Sequence, residues 1–252
     1  MPSLSIIVIC KNEQQHIAAC LESVKFADEI IVLDSGSTDE TVCIAKKYTD
    51  KVFQQPWLGF GEQKNAALDK ATGDWVLSID CDERVTPELA QSIQRAIAAS
   101  SDAVGFMVRR RSTIFGHTVR FGDWSRDRVV RLFLRSHARF SPDQVHERVL
   151  LQGACAALQG WLEHQPFASM HAMVETMNRY SDLSVAGSGG SSRPIGLAFV
   201  RACWTFLRGY FFKGGVLDGA AGLLVAFSTA EGTFWRHAKR WEHRRANSKQ
   251  LS

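Results

Sequence analysis

Apolar and polar positions alternate in blocks through the first hundred residues. "LSIIVIC" (4–10), "EIIVLD" (29–34) and "DWVLSID" (74–80) are short apolar runs of the kind that form buried strands, and "KVFQQP" (51–56) is a shorter strand or edge. Between them, "EQQHIAACLESVKFA" (13–27), "TDETVCIAKKY" (38–48), "GEQKNAALDKAT" (61–72) and "TPELAQSIQRAIAA" (86–99) carry apolar residues at helical spacing. Thr38 or Asp39 is the expected cap of the second helix. The fourth opens with Thr86 as cap and Pro87 at the first helical position. Strand-helix alternation with near-continuous apolar strands predicts an α/β fold, its mostly parallel sheet covered by helices on both faces. From about 103 to 160 the texture changes to strands separated by turns, "AVGFMVRRRSTIFG" and "RVVRLFLRSHARF" among them.

The last third has another character. "MHAMVETMNRYSDLSVAG" is followed by "SGGSSRP", a Gly/Ser linker, and then by "IGLAFVRACWTFLRGYFFK". There Arg201, Thr205 and Arg208 form one narrow polar stripe on an otherwise apolar helix. Neither this run nor "GGVLDGAAGLLVAFSTAEG" gives about twenty clean apolar residues, so a spanning helix is not expected. A helix lying in the membrane interface fits, with Trp204, Tyr210 and Phe211 as interfacial groups and the basic tail "RHAKRWEHRRANSK" favouring anionic headgroups. The plainer alternative is a helical hairpin packed on the rest of the chain or on a second subunit. The expected division is 1–185 (a nucleotide half, 1–100, and an acceptor half, 101–185) and a helical region, 195–252.

Composition narrows the class. A chain of 252 residues, 45% hydrophobic and 22% charged, forms a packed globule. Its net charge of +4 is too mild to assign a partner, and no nucleic acid is expected. Six scattered cysteines show no metal spacing and favour a reducing compartment. "MPSLSIIVICKNE" lacks a basic region and a cleavage site and reads as a first strand, so a cytoplasmic protein is expected.

Ligands of such sheets bind outside the carboxyl ends of the strands. Three strand ends carry conspicuous polar residues: Lys11-Asn12-Glu13, Asp34-Ser35-Gly36-Ser37 and Asp80-Cys81-Asp82-Glu83. The third places three carboxylates in four positions directly after a buried strand, which demands a counter-charge. In an extended segment residues 80 and 82 share a side, roughly 7 Å apart. That suits a divalent cation such as Mg²⁺ or Mn²⁺, which shares substrate phosphates and needs few protein ligands. The bland alternative is capping of the next helix, a role open to Glu83; for the first two strand ends it is ordinary turn chemistry. Between Arg109 and Arg148 lie ten arginines and no lysine. Planar, bidentate binding of phosphate or carboxylate explains such a choice, and edge strands kept soluble by charge account for part of it.

These residues resemble family 2 glycosyltransferases of the GT-A fold. The resemblance runs through "SIIVICKNE", "IIVLDSGSTDETV" and "KNAALDKATGDWVLSIDCDERV". "GDWSRDRVVRLFLR", "VHERV" and "LEHQPFASMHAMVETMNRYSDLSV" are similar to the branch containing lipopolysaccharide core β-glucosyltransferases, which add glucose to an inner-core heptose. The resemblance implies a metal-dependent inverting transferase with UDP-glucose as donor. Its acceptor would be a lipid-linked oligosaccharide, met by peripheral contact with the inner face of the cytoplasmic membrane. It places Lys11, Asn12, Glu13 and Asp34 around the nucleoside, with Ser35, Gly36 and Ser37 as the turn about it. Lys64 would lie near the uracil or diphosphate and Asp80 at the ribose or sugar. Asp82 would hold the metal, with Asp80 beside it. His164 is either a further group on the metal or diphosphate or a loop histidine. An inverting transfer needs a base for the acceptor hydroxyl. Glu147 is the first candidate, with His146 orienting it, and Asp123 and Asp127 are the alternatives. Trp124 is a sugar-stacking or a core residue.

Two rivals remain at this point. A nucleotidyltransferase would need a Gly-rich first loop, and "CKNEQQH" has no glycine. A non-catalytic nucleotide-binding scaffold would tolerate loss of Asp82.

Overall fold

The structure is a computed structural model that describes residues 2–99, 101–125, 127–143, 147–186 and 194–250. The elements run β1 (Leu4–Cys10), α1 (Ile17–Glu22), β2 (Glu29–Asp34), α2 (Thr41–Ala45), β3 (Val52–Gln54), α3 (Phe60–Leu68), β4 (Trp75–Asp80), β5 (Glu83–Val85) and α4 (Pro87–Ala98). They continue with β6 (Ala103–Ile114), β7 (His117–Thr118), β8 (Arg128–Leu134), β9 (Ala138–Phe140), β10 (Val149–Leu151), β11 (Ala154–His164), α5 (Met170–Ala186), α6 (Ile195–Leu207) and α7 (Gly219–Gln250). The chain divides into two compact units, 1–110 with 128–164 and 111–127 with 165–252. This division falls elsewhere than the expected boundary after 185: α5 packs with α7, and 111–127 belong with the C-terminal helices. The "SGGSSRP" linker, up to Arg193, lies outside the described residues.

In the first unit the strand order is β3-β2-β1-β4-β8-β6-β11-β5. The β3-β2-β1-β4 half is parallel, whereas β8 runs antiparallel to β4 and to β6, and β5 antiparallel to β11. The sheet is therefore mixed, not mostly parallel as expected. Helical crossovers return the chain in one direction only as far as β4, and the arginine-rich strands that follow pair with reversed neighbours. Helices do cover both faces. Leu4, Ile6 and Val8 of β1 join Ile17, Cys20 and Leu21 of α1 and Leu89 and Ile93 of α4. Ile7 points the other way, with Leu33, Ala67, Leu68, Val76 and Phe133. Period-two alternation along β1, β2 and β4 makes both layers.

Local signals act largely as read. Thr86 Oγ1 accepts from the Leu89 N–H at 3.3 Å, and Pro87 opens α4. The second helix starts later than expected, at Thr41, whose N–H is taken by Asp39 Oδ1 at 3.0 Å. The first is only six residues long, flanked by turns.

At the amino ends of the parallel strands, Glu29 ties β2 to its neighbours. It accepts from Ser5 Oγ, from Lys51 Nζ and from the Thr72 N–H. Burial alone would raise its pKa, but these donors outweigh that and lower it from the ordinary 4.5 to about 2. The folded state thus prefers ionised Glu29. Its stabilisation is complete above the unfolded value and is lost as pH falls from about 4.5 toward 2. Glu29→Gln is expected to lower stability at neutral pH by up to about 3 kcal/mol and by progressively less through that window. Urea unfolding of both proteins across the pH range checks it.

In the second unit the end of β6 pairs with β7 through Thr113 and Thr118. Ile114, Val119 and Val225 form a small core on which Trp124 packs, so Trp124 is a packing residue in this structure. No single helix among the described residues is long and apolar enough to cross a membrane.

Candidate active site

The polar strand ends do meet on one rim. In the β1–β2 and β1–β4 registers, Cys10 is paired with Asp34 and Ile9 with Asp80. The first two loops are laced together there. The Asn12 N–H donates to Ser37 Oγ at 2.8 Å, Asn12 Oδ1 accepts from the Thr38 N–H at 2.9 Å, and the Glu13 N–H donates to Thr41 Oγ1 at 2.7 Å. Asn12 has φ +56°, a left-handed conformation that these bonds sustain. Lys11 and Asn12 are exposed at the rim and Glu13 is half-buried.

Asp34 is fully buried, and its carboxylate is used by its own turn. Oδ2 accepts from the N–H groups of Gly36 and Ser37, each at 2.9 Å, and Oδ1 from Ser37 Oγ at 2.5 Å. Gly36, at φ +86°, supplies the backbone that the turn needs. Ser35 is buried and accepts from Gln63 Nε2 at 2.9 Å. In this conformation Asp34 shapes the loop; the backbone and exposed groups of the turn form the rim.

At the third strand end the counter-charge is supplied by the protein itself. Lys64 of α3, 3% exposed, places Nζ 2.9 Å from Asp80 Oδ1 and 2.6 Å from Glu147 Oε1. Arg131 of β8 places Nη2 2.5 Å from Asp80 Oδ2 and 2.6 Å from Glu83 Oε1. Arg110 adds a contact to Glu83 at 3.2 Å. Burial pushes the Asp80 carboxyl up, but Arg131 and Lys64 overcome this and hold it well below the usual carboxylate range. Both charged partners gain in turn: Asp80 with Glu147 raises Lys64, and Asp80 with Glu83 raises Arg131, against burial in each case.

This arrangement bears on three expectations. Residues 81 and 82 form a turn into β5, not an extended continuation, so Asp80 and Asp82 face different partners. Asp80, expected beside the metal, is engaged at both oxygens by cations of the chain. Glu83 does not cap α4; it is completely buried, taking the Asp80 N–H at 3.0 Å as well as the two arginines.

Asp82 remains partly exposed and lies 3.3 Å from His164 Nε2, at the end of β11. Among the described residues no group of three or more His, Cys, Asp or Glu side chains is arranged around a common metal position. Asp82 and His164 therefore offer two ligands, which fits a Mg²⁺ or Mn²⁺ that takes its other oxygens from a diphosphate and water.

The other candidate bases sit in the second unit. Asp123 is held by Arg208 at 3.2 Å and Lys213 at 2.5 Å, which commits it to packing the C-terminal helices. Asp127 is half-buried there, and His146 lies outside the described residues. Five of the ten arginines have these partners within the chain: Arg131 and Arg110 as above, Arg135 on the Gly73 carbonyl at 3.0 Å, Arg109 over the Trp161 ring and, at the surface, Arg139 on Asp69. Arg131 was the residue missed. Its signal is an arginine inside the apolar run "VVRLFL".

The glycosyl transferase family 2 sequence model matches residues 5–149, more than half the chain, and the chain belongs to that family. It is thus a glycosyltransferase, and the nucleotidyltransferase and non-catalytic scaffold readings fall away. It is 32% identical to the lipopolysaccharide core biosynthesis glycosyltransferase LpsC of Rhizobium meliloti (strain 1021), over 93% of each chain. It is 30% identical to an uncharacterized glycosyltransferase of Rickettsia typhi, over 95% of this chain and 87% of that one. Among solved structures, glucosyl-3-phosphoglycerate synthase from Mycobacterium tuberculosis, crystallised with Mn²⁺, UDP and glucosyl-3-phosphoglycerate, is 26% identical over 46% of this chain and 45% of that one, with a TM-score of 0.38.

Proposed function

We propose that this glycosyltransferase moves a hexose, glucose from UDP-glucose in the first instance, with inversion onto an inner-core heptose of a lipid-linked lipopolysaccharide core. The reading draws on the similarity to LpsC along nearly the whole chain. The observation that carries its chemistry is that one buried lysine, Lys64, holds both the candidate base Glu147 and Asp80 of the third strand end, two residues in sequence from Asp82 of the Asp82–His164 pair. The acceptor's lipid anchor places the enzyme peripherally on the inner face of the cytoplasmic membrane.

Each group then has a task. A divalent metal held by Asp82 and His164 would offset the charge of the leaving diphosphate. Asp80, kept ionised by Arg131 and Lys64, presents a fixed acceptor to donor hydroxyls. Lys64 supplies positive charge at the rim. Glu147 accepts the proton of the attacking hydroxyl. The Asn12 and Ser37 loops form the nucleoside wall.

Isothermal titration with UDP and UDP-glucose, with and without Mn²⁺ or Mg²⁺, tests this. Metal is expected to tighten UDP binding, and Asp82→Ala to remove that gain, a loss of about tenfold or more. UDP binding indifferent to both metal and Asp82 would overturn the metal-dependent reading.

A further inference from the structure

The helical hairpin of the second unit is built inside out. On α6 the buried positions are Ala198 and Ala202, followed by Gly209, while Phe199, Val200, Trp204, Leu207 and Phe211 are exposed. On α7 Ala221, Val225, Ala226 and Ala230 are buried, while Leu223, Phe227 and Trp235 are exposed. A helix of a water-soluble domain turns its large apolar residues inward. Here the buried positions are mostly small residues, Ala226 lying beside Gly209 among them, and many of the large ones face out, as in helices packed within lipid. The start of α7 packs as closely on the segment before it: a Cβ on Gly222 would sit 1.8 Å from the Gly215 carbonyl oxygen.

The segment between the helices carries the two most exposed large apolar side chains among the described residues. Phe212 is 73% exposed and Leu217 69%. The segment is also fastened. Asp218 accepts from the N–H groups of Arg120 and Phe121 at 2.9 and 2.8 Å, and Asp123 is held by Arg208 and Lys213. A fastened tip with Phe211, Phe212 and Leu217 uncovered is a surface awaiting an apolar partner.

Geometry and charge choose that partner. The helices Ile195–Phe212 and Gly215–Arg245 together have the length and composition of a span, but they are bent by 71° at the break. Such a bend belongs to a broken span or to a re-entrant pair, and the approach of Arg201 on α6 to His237 on α7, at 3.4 Å, folds the second helix back along the first, as in the re-entrant case. Past the apolar stretch, Arg236 to Arg245 holds five Lys or Arg and one Glu; Lys239 is taken by Asp182 at 2.6 Å, and Arg236, Arg244 and Arg245 are exposed. Such a segment complements anionic headgroups, whereas a second copy of the chain would bring the same positive charge. We propose that the α6–α7 hairpin inserts into one leaflet of an anionic bilayer, led by Phe211, Phe212 and Leu217, with the basic half of α7 on the headgroups. This deepens the peripheral location proposed above, and it stands or falls independently of which sugar or acceptor the enzyme uses.

The test is flotation of the full chain with phosphatidylcholine vesicles, with and without phosphatidylglycerol. The wild type is expected to float with the anionic vesicles and to stay bound through a high-salt wash, because insertion of apolar groups is not screened. Phe211→Ser/Phe212→Ser/Leu217→Ser should cut the bound fraction about tenfold or more. Its UDP titration and thermal melt should match the wild type, and Phe212→Ser alone should give a smaller loss in the same direction. Three outcomes overturn the proposal: no flotation of the wild type, complete release by salt, or flotation of the triple variant at the wild-type level. A wild-type dimer that the triple variant makes monomeric, with neither floating, assigns the face to a second copy instead. Loss of UDP binding in all proteins would sink the transferase-site reading while leaving the flotation result intact.

Discussion

Arg131→Met is expected to cost about 3–5 kcal/mol of stability, as when one member of a buried ion pair is removed. Arg131 is 6% exposed and serves two carboxylates through one nitrogen, Asp80 at 2.5 Å and Glu83 at 2.6 Å. Without it Asp80 keeps Lys64, but Glu83 is left fully buried with, among the described residues, the 3.2 Å contact to Arg110 and one backbone N–H. The methionine is apolar and of similar length, so the loss reports the stranded charge and not a cavity. Adding Glu83→Gln should therefore recover part of the loss, making the double variant more stable than the single one. Urea unfolding with unchanged slope is the measurement. A cost under about 1 kcal/mol would mean that the network is solvated like a surface pair.

Much of the fold was legible because it is written in local terms. The alternation of β1, β2 and β4, the Thr86-Pro87 start of α4 and the convergence of three strand ends on one rim all follow from nearby residues. Strand direction is not local. The run "RVVRLFL" announces a strand but not that it lies antiparallel beside β4, and so the sheet was expected to be mostly parallel. The same placement hid the answer to the acidic run at 80–83. An arginine on β8, 51 residues after Asp80, and a lysine on α3 meet it only after folding. Asp34 shows the reverse case. Its sequence, Asp-Ser-Gly-Ser, supports both a ligand site and a self-contained turn, and burial brings out the turn. The hairpin was legible as apolar helix with a basic tail, but which residues face outward depends on where α6 meets α7.

Glu147→Gln should lower the transfer rate by about 10²–10⁴-fold, the usual contribution of a positioned base, with UDP affinity nearly unchanged. The substitution keeps the size of the side chain and leaves an oxygen that still accepts from Lys64, whose other partner, Asp80, stays in place at 2.9 Å. Folding and the donor rim therefore remain, and what is removed is the ability to take a proton. Lys64 lies 2.6 Å from Glu147 Oε1, so the carboxylate is held as an ion pair. A donor diphosphate at the rim would compete for the same ammonium and free Glu147 to face the acceptor hydroxyl. Single-turnover transfer at saturating donor separates the two roles. A slow step with normal UDP binding assigns the base. A large loss of UDP binding or of stability would instead make Glu147 the structural counter-ion of a buried lysine, and the search for the base would move to Asp127.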